Sequence, residues 1–583
     1  MFTLVCLTML AAADPQTNPE DAKLAAYFDR YLEESFKRHP LAATQAGDHR
    51  YDDRLDDLSA KARAEDVAAV KATLEQLPKA VDYAKLSRGS QMDFEIFKQD
   101  LTRSIWLAEN TKPYEEDPRV YTGYITDSIY TLFAQSTLPK DRAAASAVRR
   151  MAAIPAVIAA AKANLTRPPA QYLETAILQN RGSIGFYESG LFQLTGETPQ
   201  ISPLSGAARP VVAALKEYQQ FLEKEMRARA NGEWRIGREK FAKKLEMELD
   251  AGPGLSADEV LKLAESEAER VEREMVVVAR QLWAKVMPGK PLPPDDAKGR
   301  RELVRSVLDV LANDHGTPES LVGDAKGTVD RIKKFIREKD ILRLPEPDRC
   351  QVVEMPEFQR GNSVAFLNPA PPLDPDAPSI YAVSPPPTAW DARRSESYFR
   401  EYNRAMLQIL TIHEAYPGHY VQLEYSNRHP SKIRKILSSG TFAEGWAVYT
   451  EQMMLDQGYG DADLSLRLHQ LKFYLRAVIN AILDHKMHCS NMTDEQAMDL
   501  LVNRGFQAEG EAQAKVIRAK QSSCQLSTYF VGRSAFYRLR QEISREMGKD
   551  FDLGRYHEAV MDHGTLPVKY LPELVRERLK KPR

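Results

Sequence analysis

Cysteine is scarce in this chain, neither sign of charge is in excess, and long hydrophobic runs are nearly absent. Four cysteines, Cys6, Cys350, Cys489 and Cys524, are scattered over 583 residues. Cys6 falls in an N-terminal apolar stretch. The remaining three make neither a disulfide framework nor a cysteine-rich zinc site. Lys plus Arg number 80 against 82 Asp plus Glu, a net charge of −2. Chains that bind nucleic acid or another polyanion usually carry a basic excess, so no nucleic-acid partner is expected. Gly-rich phosphate loops and a G-x-S-x-G elbow are missing too, along with the chemistries they signal. No repeat of solenoid period and no low-complexity tract is found.

One short apolar run stands at the start. Phe2 to Ala13 ends in Ala11-Ala12-Ala13 and is followed by Asp14-Pro15. This pattern matches a secretory h-region with a small-residue cleavage site, although only the α-amino group supplies positive charge. Residues 1–13 are therefore expected to be a signal peptide, and the protein to be exported, periplasmic or secreted. A cytoplasmic protein with a buried N-terminal helix or a misplaced start is the alternative. The run is too short to span a bilayer, which takes about 20 residues, and no integral membrane segment is expected.

What the chain does have is an ordinary globular composition, 43% hydrophobic and 28% charged, and long amphipathic helices. Asp21 to Lys37 places Leu24, Tyr27, Phe28, Tyr31 and Leu32 on one stripe. Ser256 and Glu259 form a capping box that opens a helix through about Met287, with Val260, Leu263, Val271, Val278 and Leu282 on its apolar side. Thr317-Pro318-Glu319 reads as a further helix start. The exception is 349–390, where the runs 351–355, 363–367 and 379–383 are β-branched or aromatic and separated by Pro, Gly and Asp, as in a small sheet with turns. The fold class expected is mainly α, with this small β element ahead of a helix over Ser395 to Tyr416.

That helix delivers His413-Glu414-Ala415-Tyr416-Pro417-Gly418-His419, and Phe442 to Glu451 follows as a second helix. A zinc peptidase needs neutral imidazoles and a carboxylate to hold the metal, a second carboxylate to take a proton from water, and a donor for the oxyanion. The usual device is H-E-x-x-H, with histidines at i and i+4 on one face. Here i+4 is Pro417, and the next histidine, His419, is at i+6. On an ideal helix i+6 turns about 600°, off the face of His413. Pro417 lacks the N–H that would continue the helix, and Gly418 accepts conformations that other residues avoid. Together they are expected to bulge the helix by two residues and swing His419 back. Short H-E matches are common, so the residues alone leave a zinc helix and ordinary core histidines both open. His557-Glu558-Ala559 with His563 repeats the same spacing without Pro-Gly and reads as structural.

The motif pair resembles the domain-of-unknown-function family 885, bacterial proteins similar to gluzincin metallopeptidases. The family's H-E-x-x-P-G-H and E-G-W-A-x-Y-x-E correspond to 413–419 and Glu444-Gly445-Trp446-Ala447-Val448-Tyr449-Thr450-Glu451. Family members often carry a second histidine after P-G-H; this chain has Tyr420. Downstream, Arg476, Asp484 and His488, then Arg518, Gln525, Tyr529 and Gly532, leading to Arg540, match further family patterns, with Ser523-Cys524 in place of a usual Pro-Gly. Gly564-Thr565-Leu566-Pro567 and stretches near Pro40 and Asp53 extend the likeness over nearly the whole chain.

The resemblance implies a single metallopeptidase domain over 14–583, with a deep cleft and a zinc-site region at 395–455. It implies one Zn2+ per chain held by His413, His419 and Glu444. Glu414 would be the general base. Glu451 would be the alternative ligand or a carboxylate orienting a histidine. Trp446 and Tyr449 read as packing residues. Tyr529 and His488 are candidates for oxyanion stabilisation or product-side hydrogen bonding, and Asp484, one turn before His488, would orient it. Arg540 would grip a substrate carboxylate or form an internal ion pair. His485 and Cys489 beside His488 mark a helix face rather than a second metal cluster. Ser379 to Pro385 would offer an edge strand for substrate pairing. The expected activity is cleavage of peptide bonds in peptides and oligopeptides. A zinc hydrolase of a non-peptide amide and a catalytically silent peptide-binding protein are the alternatives. Ligand types favour zinc without excluding manganese or cobalt.

Overall fold

Helices form where apolar residues recur every three to four positions and begin where a side chain can cap them. In this computed structural model, which describes residues 18–134, 136–252, 254–355, 360 and 364–582, the Pro19–Arg38 helix starts on Asn18 and buries Leu24, Phe28, Leu32 and Phe36. The expected leader at 1–13 lies outside these residues. The capping box between Ser256 and Glu259 is formed, and it opens Ala257–Val286. Leu263, expected on the apolar side of that helix, is 48% exposed. The start at Thr317 is corrected. Thr317 and Ser320 cap one another in a turn, the Thr317 N–H donating to Ser320 Oγ at 3.0 Å, and the helix proper is Leu321–Glu338.

The helix expected from Ser395 to Tyr416 is two helices. Ala392–Glu401 ends before Asn403, whose Oδ1 accepts from the Met406 N–H at 3.1 Å and caps α1 (Arg404–Glu414). An Asn in that position favours starting a helix over continuing one. Ahead of it, β1 (Cys350–Glu354), β2 (Ala365–Asn368) and β3 (Ser379–Val383) form one sheet of order β1-β3-β2. β3 pairs parallel with β1 and antiparallel with β2.

Apolar side chains collect in three cores. One gathers helices of 121–226 around Tyr121, Met151 and Leu215. A second joins the N-terminal helices to the sheet, α1 and the C-terminal helices. The third joins Ala257–Val286 to residues 468–531. α3 (Gly440–Asp456) lies on the seam between the last two, giving Phe442, Trp446 and Tyr449 to one and Val448 to the other. Among the described residues one helix, Lys140–Asn164, is long and apolar enough to cross a membrane. Its Ala147, Met151, Ile154 and Ile158 pack in the first core, as in a core helix.

Candidate metal centre

α1 ends at Glu414, and a new helix, α2 (His419–Asn427), begins at the second histidine. The expected two-residue bulge is therefore a full stop and restart. Glycine is required at the turn because of a close approach. A Cβ on Gly418 would stand 1.9 Å from the His413 carbonyl oxygen and 2.4 Å from that of Ile412. The Trp446 indole N–H donates to the Pro417 carbonyl at 2.8 Å and fastens the turn to α3. The outcome is that the two imidazoles meet, ring centroids 4.8 Å apart and nearly perpendicular at 88°.

α3 brings the carboxylates. Glu444 Oε2 lies 3.8 Å from His413 Nε2 and 3.6 Å from His419 Nε2. Tetrahedral arms of roughly 2.0–2.1 Å separate zinc donors by roughly 3.3 Å, so these three sit close to that spacing. Their ligand atoms all lie within 4.8 Å of one another, and no other such group is found among the described residues. Glu444 Oε2 is buried and without a hydrogen-bond partner, which a cation would remedy. Seven residues on, Glu451 Oε1 accepts from His413 Nδ1 at 2.7 Å. That bond fixes the tautomer and turns Nε2 towards Glu444.

The electrostatics fit a cation. Burial drives the His413 imidazole down to about 3, helped by the His419 charge, and pushes the Glu451 carboxyl well up. Burial also opposes ionisation of Glu444, but the nearby His419, with the charge of His413, holds it below its ordinary value. Three carboxylates and two imidazoles share one desolvated spot, and a divalent ion would offset what burial costs the anions.

Glu414 stands beside this group. Its Oε2 accepts from the Leu367 N–H of β2 at 3.2 Å, and burial raises its carboxyl to about 7. On the far wall are α5 (Glu509–Gln521), packed against α4 (Leu464–Cys489), and α6 (Thr528–Met547). The Tyr529 hydroxyl oxygen of α6 accepts from Arg518 at 3.3 Å and Gln525 at 3.2 Å. With its acceptor capacity taken, its own O–H is free to donate into the site. His413, Glu414, Glu451 and Tyr529 all line a pocket of about 460 Å³.

A profile for bacterial proteins of unknown function, DUF885, matches residues 40–575. The chain belongs to DUF885. Among solved structures it resembles a protein of unknown function from Shewanella oneidensis, a lipoprotein by designation. The two share 30% identity and a TM-score of 0.78 over 95% of this chain and 99% of the other. A protein from Colwellia psychrerythraea, also designated a lipoprotein, shares the fold at 18% identity and a TM-score of 0.70, over 97% and 100% of the two chains. No curated protein matches.

Other DUF885 motif residues lie away from the triad. His488 is corrected as an oxyanion group: its Nε2 donates to the carbonyls of Ala519 and Ser522 at 3.1 and 2.9 Å and closes the end of α5. Asp484 does not orient His488; it accepts from the Cys524 N–H at 3.1 Å and Ser527 Oγ at 3.0 Å. The pair shapes the turn that delivers Gln525 and Tyr529. In that turn Cys524 has φ 72°, in the left-handed region where the family's usual glycine has no penalty. Arg540 lines a separate pocket with Asp456, Arg533 and Tyr537, so it is not placed to grip a substrate at the triad. β3 is the central strand, not an edge, because both its sides are paired; the edge beside the site is β2. His485 bonds Asp258 at 3.0 Å and joins no metal-ligand cluster among the described residues. Sequence reasoning missed Lys515 and the backbone of Leu367 in the site. Lys515, three residues before Arg518, was readable as the same helix face.

Proposed function

We propose that the protein is a zinc-dependent hydrolase that cleaves peptide bonds of peptides and oligopeptides with activated water. The observation that carries this reading is the convergence of His413, His419 and Glu444 beside Glu414. A Zn2+ held by those three would supply a Lewis acid and make water nucleophilic near neutral pH. Glu414 takes the proton of the attacking water. Its carboxyl, raised to about 7 by burial, can accept and return a proton at working pH. Leu367 N–H holds that carboxylate in place. Tyr529 donates to the oxygen on which negative charge develops. Glu451 keeps the His413 ring in one orientation. Export of the mature chain agrees with the lipoprotein designation of both structural neighbours.

The test is metal content by mass spectrometry on protein purified without a histidine tag. Near one zinc per wild-type chain is expected, lost when His413→Ala and His419→Ala are combined. Glu414→Gln should keep the zinc and lose cleavage of a peptide panel. A wild-type chain that takes up no metal when zinc is offered would end the hydrolase reading.

A further inference from the structure

The α5 wall of the pocket holds a lysine with no anion in contact among the described residues. Lys515 is 4% exposed and lines the pocket, yet its ammonium makes no ion pair or hydrogen bond with any described residue. Other buried or nearly buried lysines are paired. Lys520, 6% exposed, meets Asp494 at 2.6 Å, and Lys472 meets Glu401 at 2.9 Å. A desolvated ammonium without an anion is costly, and a folded chain keeps one only where something else supplies the charge. Burial, with the charges of Arg476 and Arg518, holds Lys515 well below an ordinary lysine, against the more weakly felt charges of Glu511 and Glu444.

The carboxylates that share the pocket are already committed. Glu511 is taken by Arg476 at 2.5 Å and by the Tyr402 hydroxyl at 3.0 Å. Glu401 is held by Lys472. Glu414 and Glu451 belong to the metal centre. One turn on from Lys515, Arg518 donates, among the described residues, only to Gln525 and Tyr529, both neutral. Two basic side chains three residues apart on one helix therefore face the same space with no carboxylate in contact with either among the described residues. Arg518 touches Tyr529, and Tyr529 in turn lies near Glu444. A negative group held at this wall would thus sit one side chain away from the metal donors.

Resting on the peptidase reading, we infer that Lys515 and Arg518 form a carboxylate site that holds the anionic group of the substrate next to the bond to be cut. A planar carboxylate suits Arg518 as a fork and Lys515 as a point charge. Its source is either the free C-terminus of a peptide, which would make the enzyme trim from that end, or an acidic side chain.

The test reads binding, not turnover. Calorimetry on Glu414→Gln protein, zinc-loaded and zinc-stripped, would compare three probes: benzoyl-Gly-Phe, its C-terminal amide, and benzoyl-Gly-Glu amide. The free acid should bind about tenfold or more tightly than its amide, a single charge-assisted contact being of that order. Adding Lys515→Met or Arg518→Gln should erase the difference. Lys515→Met should also melt higher than its parent, because it removes a buried amine that has no partner in the unliganded protein. Arg518 is exposed, so its variant gives a second reading independent of the core. If the glutamate amide binds as tightly as the free acid, the site stands and its ligand is a side chain. Equal binding of the acid and both amides, no binding of any probe, or a preference that survives Lys515→Met would overturn the proposal. A preference for carboxylate in protein that takes up no zinc would uphold the site while the hydrolase reading fails.

Discussion

The chain writes H-E-A-x-x-x-H twice, and the two copies end in opposite places. In the first, His413 gives Nδ1 to Glu451 and keeps Nε2 near a buried, unpartnered carboxylate oxygen of Glu444. In the second, His557 uses both nitrogens. Nδ1 donates to the Ile341 carbonyl at 2.8 Å, and Nε2 accepts the Tyr449 hydroxyl at 2.8 Å. Glu414 faces a pocket, whereas Glu558 is bound by the Arg343 backbone N–H at 3.1 Å and by its guanidinium at 2.6 Å. The first helix stops at Glu414; the second continues, Asp562 N–H still bonding to the Glu558 carbonyl at 2.9 Å. What surrounds each copy depends on the residues between the histidines and on the partners that α3 offers them.

The largest contrast should appear in the metal itself. Combining His557→Ala with His563→Ala should leave about one zinc per chain, where the pair at 413 and 419 abolishes it. The price of the 557 change is stability, about 2–4 kcal/mol by urea unfolding, from a core cavity and two orphaned partners. A second contrast lies at the turn. Gly418→Ala forces a Cβ into the His413 carbonyl and should cost about 3 kcal/mol or more and most of the zinc. Asp562→Ala, at the matching position of the second copy and exposed, should stay within about 0.5 kcal/mol in the same melt.

The carboxylates should separate less sharply. Glu451→Gln should weaken zinc binding by about 10–100-fold in a chelator competition, while Glu558→Gln leaves it unchanged. The smallest difference is in pH. Burial keeps His557 neutral, its imidazole pushed down to about 3. A depressed base adds stability above its unfolded value, near 6.5, and that stability drains away as pH falls towards the folded value. The gap in urea midpoint between wild type and His557→Gln should therefore narrow from pH 7.5 to pH 5. A gap that widens would mean that His557 is charged in the native protein.

Legibility followed how local each signal was. Ser256, Glu259 and the stripe of Leu24, Phe28 and Leu32 act within one or two turns, and the structure has them as read. The strand runs were readable from composition, but the order β1-β3-β2 depends on long-range pairing and was not. Pro417 and Gly418 announced a break; its form depended on Trp446, which packs from another helix. The downstream motif residues were the hardest. His488 and Asp484 have the right chemistry for a site, but nothing in their spacing says which carbonyls and N–H groups surround them.

One contact bears on when this centre can exist, rather than where it lies. α3 and α6 approach through two glycines: a Cβ on Gly445 would stand 2.4 Å from the Gly532 Cα, and one on Gly532 would stand 2.0 Å from the Thr441 carbonyl oxygen. Glu444, next to Gly445, is therefore positioned by a residue synthesised long after it. A chain still leaving the ribosome would carry both histidines and lack the backing that sets their carboxylate. On the proposed reading, metal capture would mark the finished molecule, and a truncated product would be born unable to hold the ion.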